Sequence, residues 1–136
     1  KYGVREIIVE NGGDIYADIQ ENIDISVFAG TSPLSEKVGF TIRADQAPLG
    51  ICTSSGTVGP SLSFGKADAV MIICKDCALA DTYATAFANE IKTTDDVAPC
   101  VEKIGKTQEI LAAICIKDDK IGIHGIFDFK LFHSKL

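Results

Sequence analysis

The sequence predicts an α+β domain: an antiparallel sheet with two main helices packed against it. Three observations carry this. Short β-branched or alternating runs recur through the first half and again at the end of the chain. One of them, "ADAVMIIC" (Ala67–Cys74), is almost continuously apolar. Between these groups lies an alanine-rich stretch without Gly or Pro, "CALADTYATAFANEI" (Cys77–Ile91), whose apolar period is helical.

Taken in order, "REIIVE" (Arg5–Glu10) is a strand that ends in an Asn-Gly-Gly-Asp turn. "IDISVFA" (Ile23–Ala29) places Ile23, Ile25 and Val27 on one face, and "VGFTIRA" (Val38–Ala44) does the same with Val38, Phe40 and Ile42. "PLGICTSS" (Pro48–Ser55) is a strand running into a loop rich in small residues. The continuous run Ala67–Cys74 predicts a strand covered on both faces. In the following helix, Leu79, Tyr83, Phe87 and Ile91 fall at i, i+4, i+8 and i+12 and are expected to form its buried stripe. "TTDD" offers N-caps for a second helix, roughly Val97 to Ile110, with Pro99 tolerated in its first turn. "AAICIKDDKIGIHG" predicts two strands around an Asp118–Asp119 turn, and "IFDFKLF" a closing strand.

The 136 residues suit one domain. The chain opens on Lys rather than Met and enters a strand almost at once, so it is expected to lack an N-terminal segment of a longer polypeptide. No apolar run approaches the roughly 20 residues of a membrane span, and no signal peptide is visible. The net charge is −6, with 13 scattered basic residues, which argues against nucleic-acid binding. Five cysteines within apolar runs predict a reduced, cytoplasmic protein. Cys74 and Cys77 form a single C-x-x-C, and a metal or redox role for them is one reading. Ordinary buried thiols are the other.

Three segments are candidate sites. "ENGGDI" contributes Gly12, Gly13 and Asp14. Glycines admit a ligand close to the backbone, and a carboxylate can hold hydroxyls or an amine. A tight β-turn is the bland reading. The loop "TSSGTVGPS" contributes Thr53, Ser54, Ser55, Gly56 and Thr57, whose amides and hydroxyls can cradle an anion. It matches neither G-x-x-x-x-G-K-[ST] nor G-x-G-x-x-G. A long polar connection is the bland reading. On the first helix, Asp81, Thr85 and Asn89 share a face, where a carboxylate and a hydroxyl one turn apart can hold Mg2+. A solvated face is the alternative. Lys66, Asp68, Arg43 and His124 are weaker candidates.

The order "NGGDI", "TSSG", an apolar strand and "LADTYATA" resembles the ApbE-like superfamily, whose transferases attach the FMN part of FAD to a Ser or Thr with the help of Mg2+. "GICTSSGTVGPSLSFGKADAV" resembles more closely a small, uncharacterised prokaryotic branch of it, much of it archaeal. The resemblance covers about Ile7 to Asn89. It implies an ApbE-like fold, Mg2+ on Asp81 and Thr85, and FAD or a related nucleotide beside Gly12, Gly13, Asp14, Thr53, Ser54 and Gly56, with Ser55 and Thr57 completing the candidate loop. The family's H-x-x-D-P motif has no counterpart in "TVGPSLSFGKADAV". The expected function is therefore binding of a flavin or nucleotide phosphate with Mg2+, with transferase activity one outcome and non-catalytic binding the other. The expected partner is a small phosphate or flavin ligand, without nucleic acid or membrane. A homodimer, or association with a preceding segment, stays open.

Overall fold

The structure, a computed structural model, describes residues 5–9, 14–17, 21–54 and 67–132. Among these, the strands are β1 (Arg5–Val9), β2 (Asp14–Ala17), β3 (Ile23–Val27), β4 (Val38–Ile42), β5 (Leu49–Ser54), β6 (Ala69–Cys74), β7 (Ala112–Lys117), β8 (Lys120–Gly125) and β9 (Asp128–Leu131). The helices are α1 (Cys77–Ala88) and α2 (Val97–Gly105). The α+β class with two main helices is as the sequence predicts. The strands divide into two sheets, ordered β1-β3-β4-β9 and β2-β5-β6-β7-β8. All of these pairs are antiparallel except β1 with β3.

The layers follow from alternation along the strands. Ile23, Ile25 and Val27 of β3 and Phe40 of β4 pack against Ile51, Met71, Ile73 and Ile114 of the five-stranded sheet. The intervening residues of that sheet, Val70, Ile72, Cys74 and Cys115, turn to the helices. The order is therefore sheet, sheet, helices. All six residues of β6 are buried, which is the two-faced strand expected from Ala67–Cys74.

Helix α1 starts at Asp76, whose carboxylate accepts the Ala78 amide at 3.1 Å. Its buried face is not led by the expected stripe. Ala80, Ala84 and Ala88 face the sheet with Phe87, while Leu79 and Tyr83 are half-buried at the flank. The reason is close approach. A Cβ on Gly50 of β5 would lie 2.5 Å from the Cys77 nitrogen and 2.6 Å from its Cα. A helix this near a sheet must present small side chains.

Helix α2 ends at Gly105, short of the expected Ile110. The Thr107 amide closes a turn on the Ile104 carbonyl at 2.9 Å, and Leu111 then joins β6 by donating to the Ile73 carbonyl at 2.8 Å. The β7–β8 turn falls where expected, with Asp118 left-handed at φ 54°. Strand β2 is absent from the sequence reading, because four residues give too little alternation to register.

Gly50→Ala would force α1 off the sheet. The expected cost is roughly 1–3 kcal/mol, read as a lowered denaturation midpoint with the helical circular-dichroism signal retained.

Candidate functional site

Strand β2 runs antiparallel to β5, so its first residue lies beside the end of β5. Asp14 pairs with Cys52, and Thr53 and Ser54 follow on the same strand. Two segments far apart in the chain thus meet at one end of the five-stranded sheet. Gly12, Gly13, Ser55, Gly56 and Thr57 lie outside the described residues, as does Lys66. Of the expected ligand-binding set, Asp14, Thr53 and Ser54 can be placed, and they are neighbours.

Thr53 shares a strand face with Ile51 and is paired with Met71, so it points between the two sheets. It is 2% exposed, and its hydroxyl has no hydrogen-bond partner among the described residues. Such a group costs about 1–3 kcal/mol, so its retention wants a reason.

Neighbouring groups at this end have structural duties. The Asp68 carboxylate is 4% exposed and accepts the Asp118 amide at 2.6 Å. The Ser32 hydroxyl donates to the Asp118 carbonyl at 2.5 Å, which ties the four-stranded sheet to the same turn. Asp68 therefore fixes the β7–β8 hairpin. His124 pairs with Ala113, toward the opposite end of the sheet. Arg43 is exposed, with Nε 3.3 Å from Asp45 and a guanidinium nitrogen 3.9 Å from Asp128.

Asp81 and Thr85 are both exposed on α1, on the side away from the sheet. The helix runs parallel to β5. It begins against Gly50, and near its end the Ala88 carbonyl accepts the Ala67 amide at 3.0 Å. Thr85 is thus nearer than Asp81 to the end of the sheet that carries Thr53. Among the described residues, no group of three or more His, Cys, Asp or Glu side chains is arranged to hold a metal ion.

A cavity of about 490 Å3 at the same end has no counterpart in the sequence reading. It lies between the start of α2 and β8, lined by Thr94, Asp95, Val97, Val101, Lys120 and Gly122. "TTDD" signals only a helix cap, and nothing local in the sequence brings it to Lys120.

The five cysteines are all thiols. The Cys77 thiol donates to the Ile15 carbonyl at 3.2 Å, and the Cys52 thiol to the Cys77 carbonyl at 3.3 Å. Burial, with Glu109 and Asp76 adding repulsion, pushes the Cys74 thiol up to about 11. Cys115 is held well above the ordinary thiol value by its hydrogen bond with Cys100 and by burial. Thiolate is the reactive and metal-binding form, so these environments oppose a Cys-based chemistry at Cys74. At pH 8 Cys74 should be thiolate in only about one molecule in a thousand. Iodoacetamide on the native protein should modify half-buried Cys77 before Cys74, as read by peptide mass spectrometry. Faster labelling of Cys74 would reverse this assignment.

No helix among the described residues is long and apolar enough to cross a membrane. Residues 1–105 match the family model described as AbpE bacteria. The chain is similar to the UPF0280 protein of Methanococcus aeolicus, with 45% identity over 107 residues, covering 76% of this chain and 43% of that protein. It is 38% identical over 123 residues to the UPF0280 protein of Methanocella arvoryzae, covering 90% and 50%. The UPF0280 protein of Methanosphaerula palustris is 48% identical over 85 residues, covering 62% and 36%. The chain thus spans half or less of the length of these relatives. These matches correct the expected place in the ApbE-like superfamily. Similarity leads to proteins named UPF0280, and that name carries no transferase activity with it. The motifs that suggested otherwise are short runs of Gly, Ser, Thr and Ala, which recur wherever a turn or a close helix approach is needed. The chain belongs to the family described as AbpE bacteria.

Proposed function

We propose that this domain binds a small phosphate-bearing ligand of the flavin or nucleotide type, with Mg2+, where β2 begins and β5 ends. One observation carries the reading: Asp14 is paired with Cys52, and the next residue, Thr53, keeps a buried hydroxyl without a partner among the described residues. A buried hydroxyl without a partner among the described residues is open to being satisfied by a ligand. The loop after Ser54, rich in Gly, Ser and Thr, suits an anion by its composition. Mg2+ takes oxygen ligands and commonly shares one or two carboxylates with substrate phosphates and water. Asp81 and Thr85, exposed on the outer side of α1, offer a carboxylate and a hydroxyl one turn apart for the cation. Asp68 is committed to a turn and His124 lies at the other end of the sheet, so the reading is of binding rather than turnover.

Calorimetric titration with FAD, FMN and ADP, with and without Mg2+, tests this. At least one ligand should bind, and more weakly without Mg2+. Asp81→Ala should abolish the Mg2+ effect. Thr53→Val should weaken binding while raising stability by about 1 kcal/mol, because it removes an unsatisfied hydroxyl. If no ligand binds, or if Thr53→Val binds as well as the unaltered protein, the reading fails.

A further inference from the structure

The open edge of the four-stranded sheet is self-complementary, and we infer that β9 pairs antiparallel with β9 of a second copy about a two-fold axis at Phe129. Among the described residues, β9 has a strand partner on one side only, β4. The Phe132 amide donates to the Lys37 carbonyl at 2.8 Å, continuing the register that sets Phe40 opposite Phe129. In an antiparallel ladder, alternate residues turn both peptide groups to the same neighbour. Asp128 and Lys130 therefore face β4, and Phe129 and Leu131 turn their N–H and C=O groups to the open edge.

That edge is apolar as well as open. Phe127, on the face turned to the second sheet, is 7% exposed, whereas Phe129 and Leu131 on the same face are 40% and 62% exposed. Ile123 at the edge of the five-stranded sheet is 40% exposed, and Ile126 between the two edges 68%. A sheet edge normally avoids such residues, because unpaired peptide groups beside apolar side chains invite another strand.

The charge order selects the occupant. Asp128 and Lys130 flank Phe129. In a pair centred on Phe129, Asp128 of each copy lies opposite Lys130 of the other, so two opposite-charge contacts form. Centring on Asp128 or Lys130 sets like charges together. The same centre lets the two Phe129 residues exchange both peptide hydrogen bonds. Centring on Leu131 sets Lys130 opposite Phe132 and forms no opposite-charge contact, so backbone and charge together favour the register at Phe129. Lys130 keeps its bond to Asp24 at 2.8 Å, and its side chain stays 43% exposed, within reach of a further carboxylate.

Sedimentation analysis of the whole chain, with cross-linking through Phe129→Cys, tests the inference. The protein should be a reversible dimer. Directly opposed Cβ atoms lie about 4.5–5.5 Å apart, within disulfide reach once small adjustments are made. Mild oxidation should therefore link the Phe129→Cys variant between copies and leave the unaltered protein unlinked. Asp128→Lys, which keeps Phe129 and sets like charges across the pair, should weaken the dimer roughly tenfold or more. Melting curves confirm that each variant folds. A monomeric protein overturns the inference. So does a dimer in which the Phe129→Cys variant fails to cross-link and Asp128→Lys changes nothing. Exchange-protected Phe129 and Leu131 amides in a monomer also overturn it, because another segment of the polypeptide then covers the edge.

Discussion

The fold depends on β6 having no face to give to water. Six consecutive buried residues, four of them Val, Met, Ile and Ile, must be covered above and below. Each large side chain is worth about 1.5–3 kcal/mol when buried. Together they match a large part of the roughly 5–15 kcal/mol by which a whole domain is ordinarily stable. One sheet can cover only one side. The second sheet supplies the other through Ile25 and Phe40, and the helices close the outer face through Ala80, Ala84 and Ile104. The alanines and Gly50 are part of the same solution, because they let α1 approach closely enough to leave no gap.

This layering also bears on the proposed ligand site. Inside the layers most buried polar groups are matched. The Asp68 carboxylate holds a turn, and Asp24 takes a hydrogen bond from Thr41 at 2.6 Å and an ion pair from Lys130 at 2.8 Å. The hydroxyls of Ser26 and Thr53 depart from that rule among the described residues. Ser26 lies within β3, paired on both sides by β1 and β4. Thr53 stands at the end of its sheet, beside the strand that begins with Asp14. A hydroxyl kept in such a place weakens the apo fold, and local violations of fold consistency concentrate at functional positions. The burden is small beside the burial on β6, which is why the fold tolerates it.

How much of this can be read from the sequence depends on the range of the forces involved. The period of β6 is local and strong, so its two-sided burial is legible, as is the hairpin around Asp118 and Asp119. The face of α1 is not. Periodicity weighs Leu79 and Tyr83 above alanine, yet the distance to Gly50 selects Ala80, Ala84 and Ala88. The division into two sheets is illegible because the pairing of β4 with β9, or β2 with β5, is set by contacts between distant residues. For the same reason the segments around Asp14 and Thr53 can be marked separately as loops, while their meeting requires β2. That the Thr53 hydroxyl lacks a partner among the described residues has no signature in the sequence at all. Short motifs of small residues point to the ApbE-like superfamily, and similarity over most of the chain corrects that to the AbpE bacteria family.

In the proposed function, the end of the sheet at Asp14 and Thr53, rather than the cavity beside α2, receives the ligand. Amide chemical-shift mapping of isotope-labelled protein titrated with ADP and Mg2+ tests it directly. The largest saturable shifts should fall on Asp14, Thr53 and Ser54. Saturable shifts confined to Thr94, Val101 and Gly122 would contradict it, since they would put the ligand in the groove between α2 and β8.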